Sequence, residues 1–405
     1  MSFRISISGM NAASQDLNIT SNNIANVNTT GFKQSRAEFG DLFAVSAYGL
    51  SNVATGAGSR LQTVAQQFGQ GNIDFTGRSL DMAISGQGFF TLSNEGATVY
   101  SRAGNFGADR NGYVVNPAGH RLQVFLPNTA GGFDTGRMSD LQLPTGDAPP
   151  AATGNVTVET NLPAAAAQPT VAPFDPLDPN TYNETTSVTV YDSLGAAHNQ
   201  SIYFVKTANP NEWEMHAYVD GNAVGGPQVL QYSSSGALTS PSPGQVTLPA
   251  APTTNGSAPL NITMDLGRST QYGENFSVLG VTQDGHSTGR LTGIETSPEG
   301  VISARYTNGV VQPLGQVAMT NFVNPQGLQS VGDNAWAETY ASGEPRRGQA
   351  GTADFGEVQG GGLEASNVDL TEQLVNMITA QRNYQANAQM IQTQDQITQT
   401  VINLR

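Results

Sequence analysis

At residues 370–391 the chain reads LTEQLVNMITAQRNYQANAQMI, and large apolar side chains return there every three or four positions. This spacing predicts a helix with one apolar face. Asp369 precedes the pattern and Glu372 follows three positions later, an arrangement that caps a helix N-terminus. The predicted face, seven of whose ten residues are apolar, consists of Leu370, Leu374, Met377, Gln381, Tyr384, Ala388, Ile391, Asp395, Thr398 and Ile402.

A matching pattern opens the chain at residues 3–24, FRISISGMNAASQDLNITSNNI. Its apolar face consists of Phe3, Ile7, Met10, Leu17 and Ile24. Both faces carry polar residues where a stable coiled coil has apolar ones. We therefore expect coiled-coil-like terminal helices that are marginal alone and become stable against neighbours. Such ends are typical of a subunit that polymerises through its termini, although two helices packed on one globular body would give the same pattern.

The bulk composition points to a multidomain, β-rich body. The 405 residues exceed what one compact core holds, so two or more domains are expected. The 46 glycines and 21 prolines, with 12% charged residues, favour short strands and turns between the ends. The net charge of −15 argues against nucleic acid as a partner, because nucleic-acid binding needs a basic surface.

The sequence holds no pattern typical of an enzyme. It has no cysteine, which excludes disulfides, zinc–thiolate sites and cysteine nucleophiles. The four histidines lack metal-ligand spacing, and neither a phosphate-binding glycine loop nor a serine-nucleophile elbow occurs. We therefore expect no catalytic activity, no cofactor and no metal. No apolar run reaches the ~18 residues of a membrane span. We therefore expect no membrane insertion. No cleavable signal is recognisable either, so export would need another route.

Between the ends, short alternating segments separated by glycine, asparagine and proline predict β-structure. Proline- and alanine-rich stretches within residues 144–180 and 240–259 indicate an inserted module, with hinges expected near Pro144 and Gly285. The predicted fold class is multidomain, with paired terminal α-helices and a mainly-β body of two nested β-domains. The expected division is a terminal helical domain at 1–33 and 363–405, an extended connector at 34–76 and 358–362, an inner β-domain at 77–145 and 285–357, and an inserted outer β-domain at 146–284.

Three ordered blocks of the sequence carry a recognisable signature. The first contains Gly9-Met10-Asn11-Ala12-Ala13, Leu17, Ser21-Asn22-Asn23-Ile24-Ala25-Asn26 and Thr30-Gly31-Phe32-Lys33. The second contains Gly77–Ile84 and Gly86–Phe90. The third contains Gly362–Leu370, Asn376-Met377-Ile378 and Gln381-Arg382-Asn383-Tyr384-Gln385. Together these blocks resemble the bacterial flagellar rod and hook protein family.

The chain length, the inserted module and two further regions resemble the hook branch of this family. The regions are Val188–Asp192 with Ile202–Lys206, and Gln316–Asn324 with Gly332–Trp336. The resemblance implies a non-enzymatic structural subunit that polymerises into a curved, flexible tube. That tube is a universal joint, which transmits torque from rod to filament and encloses the export channel. A distal rod subunit and, more distantly, a secreted β-rich adhesin stay open as alternatives.

The resemblance also implies partners and a location. The partners would be further copies of this chain, the rod, hook cap and hook–filament junction proteins, and the flagellar type III export apparatus. The location would be the extracellular part of the flagellum, reached without a cleaved signal peptide. The residues expected to serve self-assembly are Phe3, Ile7, Met10, Leu17, Asn22, Asn23, Ile24, Asn26, Gly31, Phe32, Asn367, Leu370, Leu374, Met377, Gln381, Arg382, Tyr384 and Ile391.

Overall fold

The computed structural model describes residues 2–42, 56–128, 131–352 and 354–403. A helix lies at each end of the described chain, α1 (Ser2–Ala25) and α2 (Leu370–Asn403), and the residues between them form mainly β-strands. The predicted fold class is therefore confirmed. Asp369 caps α2 as predicted, because its Oδ1 accepts hydrogen bonds from the backbone amides of Thr371 and Glu372.

Helix α1 ends earlier than the residue 33 expected for the helical segment. The amide of Asn26 is shared between the carbonyls of Asn22 and Asn23, and a turn follows. Gly31 then adopts a left-handed backbone with φ +68°. A Cβ at this position would also lie 2.5 Å from the amide nitrogen of Ala103, so the close approach needs glycine.

The described residues divide into two compact units. Unit 1 comprises residues 1–145, 293–304 and 311–405, and unit 2 comprises residues 146–292 and 305–310. The strands before unit 2 are β1 (Ser35–Asp41), β2 (Ser59–Gln66), β3 (Ile73–Phe75), β4 (Met82–Ser85), β5 (Phe89–Asn94), β6 (Ala97–Ser101), β7 (Gly107–Ala108), β8 (Val114–Val115), β9 (Arg121–Pro127) and β10 (Phe133–Asp140).

The strands that follow begin with those inside unit 2. These are β11 (Asn155–Pro163), β12 (Glu184–Tyr191), β13 (Ala197–Lys206), β14 (Glu212–Val219), β15 (Asn222–Ala223), β16 (Gln228–Tyr232), β17 (Leu238–Ser240), β18 (Gln245–Thr247), β19 (Thr263–Asp265), β20 (Thr270–Tyr272) and β21 (Ser277–Gln283). The remaining strands are β22 (Leu291–Thr296), β23 (Val301–Tyr306), β24 (Val311–Val317), β25 (Met319–Asn321), β26 (Gln329–Gly332), β27 (Ala335–Ala337), β28 (Arg346–Gly348), β29 (Glu357–Gly360) and β30 (Gly362–Glu364). Short 3₁₀ helices lie at Pro179–Thr181 and Pro325–Gly327.

The core of unit 1 packs against strand β9, which pairs antiparallel with β5, β10 and β24. Fully buried side chains such as Phe90, Leu122 and Val124 fill this core. A second, smaller cluster contains the rings of Phe89 and Trp336, whose centroids lie 5.8 Å apart. The edge-to-face packing of these rings is the geometry that aromatic pairs prefer.

Unit 2 is a sandwich of two sheets around one apolar core. One sheet has the order β18-β19-β11-β20 with β21 also on β11, and the other has the order β12-β13-β14-β16-β17 with β15 on β14. Strand β14 shows why the sheets pack: Trp213, Met215, Ala217 and Val219 point into the core, and the residues between them are partly exposed. This alternation with period two is the pattern that predicted a half-buried strand there.

The predicted extended connector at residues 34–76 contains regular structure. Strands β1 and β2 form an antiparallel ladder with a bulge between Glu38 and Phe39, and β3 pairs with β30. Residues 43–55 of this segment lie outside the described residues. The division of the chain into four sequence domains stays a prediction.

Candidate self-assembly surface

The two terminal helices pack against each other in antiparallel orientation. Near the end of α1, Asn23 donates a hydrogen bond to Oε1 of Gln373 near the start of α2, at 3.1 Å. Near the start of α1, a Cβ added to Gly9 would lie 2.7 Å from Oδ1 of Asn387. The absence of a side chain at Gly9 therefore lets the two backbones approach closely.

The buried side of this pair is made of small and polar residues. Ser6, Ala13 and Thr20 are buried on α1, seven positions apart. Gln373 and Ala380 are buried on α2 with the same spacing. A repeat of seven keeps residues on one side of a helix, so these residues form a continuous buried stripe. We call this set, with Gly9, Asn23 and Asn387, the small-residue seam.

The predicted apolar face of α1 is not the most buried side of the helix. Phe3 is exposed, and Ile7, Met10, Leu17 and Ile24 are half-buried. In the single chain, small and polar residues are the most buried residues of the helix pair, and the role of the large apolar residues in self-assembly stays a prediction. The physical reason is that glycine, alanine, serine and threonine allow a closer helix–helix approach than leucine and isoleucine do.

The predicted face of α2 is also largely exposed. Leu370 and Leu374 are 44% and 45% exposed, and Tyr384 is 39% exposed. Gln381 and Arg382 are exposed, whereas Met377 and Ile391 are half-buried. Ile402, at the end of the predicted face, is exposed too, and further exposed apolar residues outside that face are Val375, Ile378, Met390 and Ile397. The helix pair thus presents a large apolar surface to solvent.

The asparagine-rich signature at the end of α1 stabilises the turn that follows the helix. Asn26 donates a side-chain hydrogen bond to the carbonyl of Asn22 at 2.9 Å. Asn23 makes two hydrogen bonds to the backbone of Ser35. Oδ1 of Asn23 accepts from the amide of Ser35, and Nδ2 of Asn23 donates to the carbonyl of Ser35. Phe32, which is half-buried, donates its amide to the carbonyl of Thr29. These asparagines therefore act within the chain, where they hold the start of β1 against α1.

Asn367 ties the segment before α2 to the segment after α1. Its Oδ1 accepts the amide of Gln34 at 2.8 Å, and its Nδ2 donates to the carbonyls of Gln67 and Gly69. One side chain thus joins three separate parts of the chain. The third signature block placed this residue in the candidate set, and its contacts are within the subunit.

Sequence reasoning missed one group of buried charges in unit 1. Lys33 and Glu364 are both fully buried and lie 2.6 Å apart, and Arg102 lies beside the same carboxylate. The available signal was that Lys33 is one of two lysines in the sequence and that both Lys33 and Glu364 belong to signature blocks.

A group of charged side chains in unit 2 connects the turn at Asp192 to the turn at Asp220. His198 lies between Asp220, 2.6 Å from Nδ1, and Asp192, 3.3 Å from Nε2. The hydrogen bond to Asp220 raises the pKa of His198 above its ordinary value, burial opposes this, and Asp192 adds to the rise. Burial by itself would raise the pKa of Asp192, but hydrogen bonds from Asn255 and the amide of Ala196, among others, together lower it. Both of these hydrogen bonds join the histidine to carboxylates.

Within the described ranges, no group of three or more His, Cys, Asp or Glu side chains could hold a metal ion. In the part of the chain that the structure describes, neither helix is long and apolar enough to cross a membrane.

Known proteins resemble this chain along its whole length. It is 39% identical to the flagellar hook protein FlgE of Escherichia coli (strain K12) over 412 residues, which covers 100% of both chains. It is 32% identical to the flagellar hook protein FlgE of Borreliella burgdorferi, covering 98% of each. The chain belongs to the flagellar hook protein family. The resemblance that the three signature blocks indicated is thereby confirmed.

Four family models match successive parts of this hook-family chain. They are the flagella basal body rod protein at residues 3–33, the flagellar hook protein FlgE/F/G D1 domain at 83–169, the flagellar basal body protein FlaE D2 domain at 161–286, and the flagellar basal body rod FlgEFG protein C-terminal at 359–404. A crystal structure of Helicobacter pylori flagellar hook protein FlgE2 aligns with a TM-score of 0.55, covering 72% of this chain and 100% of that chain. At 16% identity, that likeness concerns the fold.

Proposed function

We propose that this chain is the structural subunit of a bacterial flagellar hook and that it polymerises through its terminal helices. The observation that carries the proposal is the apolar surface of α2, where Leu370, Leu374 and Ile378 are exposed although the helix is already packed against α1. A contiguous exposed apolar surface of this kind marks a site of protein–protein contact. In a homopolymer, neighbouring copies would cover it.

The proposed polymer is a curved tube that transmits torque from rod to filament and encloses the export channel. The helix pairs would line its inner wall, with the β-units further out. Family membership supports this over a distal rod subunit or an adhesin, because the relatives matched along the full chain are hook proteins. The chain would have no catalytic role.

The partners and the location belong to the same proposal. Besides further copies of this chain, we expect contacts with the rod, the hook cap, the hook–filament junction proteins and the export apparatus. The polymer would lie in the extracellular part of the flagellum, and the subunit would be exported without a cleaved signal. A cysteine-free sequence supports export as an unfolded chain, because no disulfide can form during passage.

Bending of the tube would come from movement between an inner and an inserted outer β-domain. The boundary between the two compact units after Thr145 supports a hinge near Pro144. A hinge at Gly285 is not supported, because this glycine lies inside unit 2 and a Cβ there would lie 2.2 Å from Oγ1 of Thr153. A return hinge is proposed near Thr292 and Gly293, where the chain first passes back into unit 1 before residues 305–310 rejoin unit 2.

The test of the function is electron microscopy of basal bodies from cells that lack this gene. We expect complete rods without hook or filament, and hooks restored by the wild-type gene. A rod that stops short would make the chain a rod subunit. Normal flagella would remove the flagellar proposal altogether.

A second test uses Leu374→Asp on the exposed face of α2, with Asn383→Asp as the matched control, because nine positions place Asn383 on the opposite side of the same helix. Both side chains are exposed, so both variants should fold. We expect tubes from the control and none from Leu374→Asp, because a buried unpaired carboxylate is costly. Equal assembly by both variants would show that this face is not the contact.

A further inference from the structure

A cluster of buried charges joins the segments next to both terminal helices to the β-structure of unit 1. Nζ of Lys33 lies 2.6 Å from Oε1 of Glu364, and Nε of Arg102 lies 3.1 Å from its Oε2. The side chains of Lys33 and Glu364 are 0% exposed, and that of Arg102 is 4% exposed. We call Lys33, Arg102 and Glu364 the charge cluster.

Each member of the cluster also holds backbone from a further segment. Lys33 donates to the carbonyl of Gly69 at 2.8 Å, and the amide of Gly71 donates to Oε1 of Glu364 at 3.0 Å. Arg102 donates from its two terminal nitrogens to the carbonyls of Gly86 and Gly88, both at 2.8 Å. Four chain segments therefore meet at one carboxylate: residues 31–34, 69–72, 86–102 and 364–367.

Backbone hydrogen bonds connect the two terminal segments at the same place. The amide of Gly31 donates to the carbonyl of Glu364 at 2.7 Å, and the amide of Ala365 donates to the carbonyl of Asn72 at 2.8 Å. The amide of Gln34 donates to Oδ1 of Asn367. The segment after α1 and the segment before α2 thus share hydrogen bonds, so neither can form all of its contacts without the other.

Burial of these three charged side chains has a high desolvation cost. Burial lowers the pKa of Lys33, and Glu364 only partly offsets that fall. Burial likewise lowers the pKa of Arg102 against the opposing effect of the same carboxylate. Two cations share one anion, so removal of Glu364 would leave both uncompensated in the interior. A buried arrangement of this kind adds little net stability, and its best-supported use is to fix one geometry among alternatives.

We propose that the charge cluster is a latch that makes docking of the two terminal segments onto unit 1 a single, coupled event. With Glu364 undocked, Lys33 cannot remain buried, and the segment after α1 is released. With Lys33 undocked, the carboxylate of Glu364 loses its shortest ionic contact, and the segment before α2 is released. This coupling concerns the single chain, so it does not depend on the proposed function in the tube.

The test is amide hydrogen exchange, read by mass spectrometry, on the full-length chain and on the variants Glu364→Gln and Lys33→Met. The readout for each substitution is the segment that does not contain it. Glu364→Gln is read at the peptide holding residues 31–34, and Lys33→Met is read at the peptide holding residues 364–367. We expect exchange to rise about a hundredfold at the distant segment in both variants.

The matched control is Glu38→Gln, which removes the same charge from an exposed pair. Arg36 lies 2.9 Å from Glu38, but their side chains are 66% and 40% exposed. Exposed pairs contribute little to stability, so neither terminal segment should change its exchange. Strands β5 and β9 serve as the internal reference for unit 1.

Three outcomes would overturn the proposal. The first is that each variant accelerates exchange only in its own segment, which would make the two docking events independent. The second is that β5 and β9 exchange as fast as the terminal segments, which would make the cluster an ordinary part of the core. The third is that the wild-type chain protects neither segment, which would mean that no latch is closed.

Discussion

The helix pair and unit 2 bury opposite kinds of residue. Unit 2 buries Phe204, Trp213 and Leu230 completely, and its two sheets close around a single apolar core. The helix pair buries the small-residue seam and leaves large apolar residues such as Leu374 in solvent. Because apolar burial is the main favourable term in folding, unit 2 completes its fold within one chain, whereas the helix pair leaves apolar surface for other copies to cover.

The difference shows that burial in a subunit must be judged against its assembly. A small-residue seam permits close helix packing and so keeps α1 and α2 in register. The exposed apolar residues on α2 would be a liability in a monomer. In the proposed polymer, neighbouring copies would cover the same residues. Four substitutions test whether unit 2 is stable by itself and whether the helix pair depends on other copies.

Phe204→Ala should have the largest effect on stability. The ring is fully buried in the core of unit 2, so its removal leaves a cavity and should cost about 3–5 kcal/mol of unfolding free energy. Urea denaturation followed by fluorescence of Trp213, in a Trp336→Phe background, measures it. Leu279→Ala, at a side chain of the same unit that is 68% exposed, is the control and should change stability by less than about 0.5 kcal/mol. Equal losses would mean that the core is not where the structure places it.

Ala380→Leu should have the next largest effect. Ala380 is 1% exposed within the small-residue seam, and a larger side chain would force the helices apart at a cost of about 1–3 kcal/mol. The loss of helix signal on heating, followed by circular dichroism, measures it. Ala386→Leu, at an exposed position of α2, is the control and should leave the melting unchanged. If Ala380→Leu instead stabilised the helices, the seam would not be a tight contact.

His198→Gln should lower the stability of unit 2 by about 1 kcal/mol in mildly acidic solution, where the charged hydrogen bonds form. The pKa of His198 is raised in the folded state, so its contribution is full below the ordinary value near 6.5 and is lost as pH rises through the folded pKa. The difference in unfolding free energy between wild type and variant should therefore become smaller as the pH rises.

The measurement is denaturation of both proteins across this pH range, read through Trp213. Burial lowers the pKa of His216, so that residue destabilises unit 2 as pH falls. His216 is present in both proteins and cancels in the difference. If the difference in unfolding free energy between variant and wild type instead grew with pH, the assigned charge on His198 would be contradicted.

Leu374→Ala should have the smallest effect on the single chain. The side chain is 45% exposed, so the unfolding free energy should change by less than about 0.5 kcal/mol. The same variant should assemble more slowly, because each copy buries less apolar surface in the polymer. Light scattering of the assembling protein measures this, with Asn383→Ala, on the opposite side of α2, as control. A destabilised monomer with normal assembly would reverse the comparison between the helix pair and unit 2.

Local patterns were sufficient for the elements and the family. The spacing of Leu370, Leu374 and Met377 predicted helix α2, and Asp369 marked its first turn. Apolar and polar residues alternate in strand β14, which is one of the short segments between the ends for which the sequence predicted β-structure. These features depend on near neighbours along the chain, because helix and strand periodicity and capping act over a few residues. The signature blocks then indicated the family, which the full-length relatives confirmed.

The sequence by itself therefore determined the terminal helices, the β-rich body and membership of the hook family. The tertiary structure alone decided which side of each helix is buried, since Gly9 meets Asn387 and Asn23 meets Gln373 across the whole length of the chain. It alone brought Lys33 to Glu364, which is 331 positions away, and Arg102 to the same carboxylate. The physical reason is that such contacts depend on the packing of the entire chain, where close approach and charge compensation outweigh the apolar pattern of one segment.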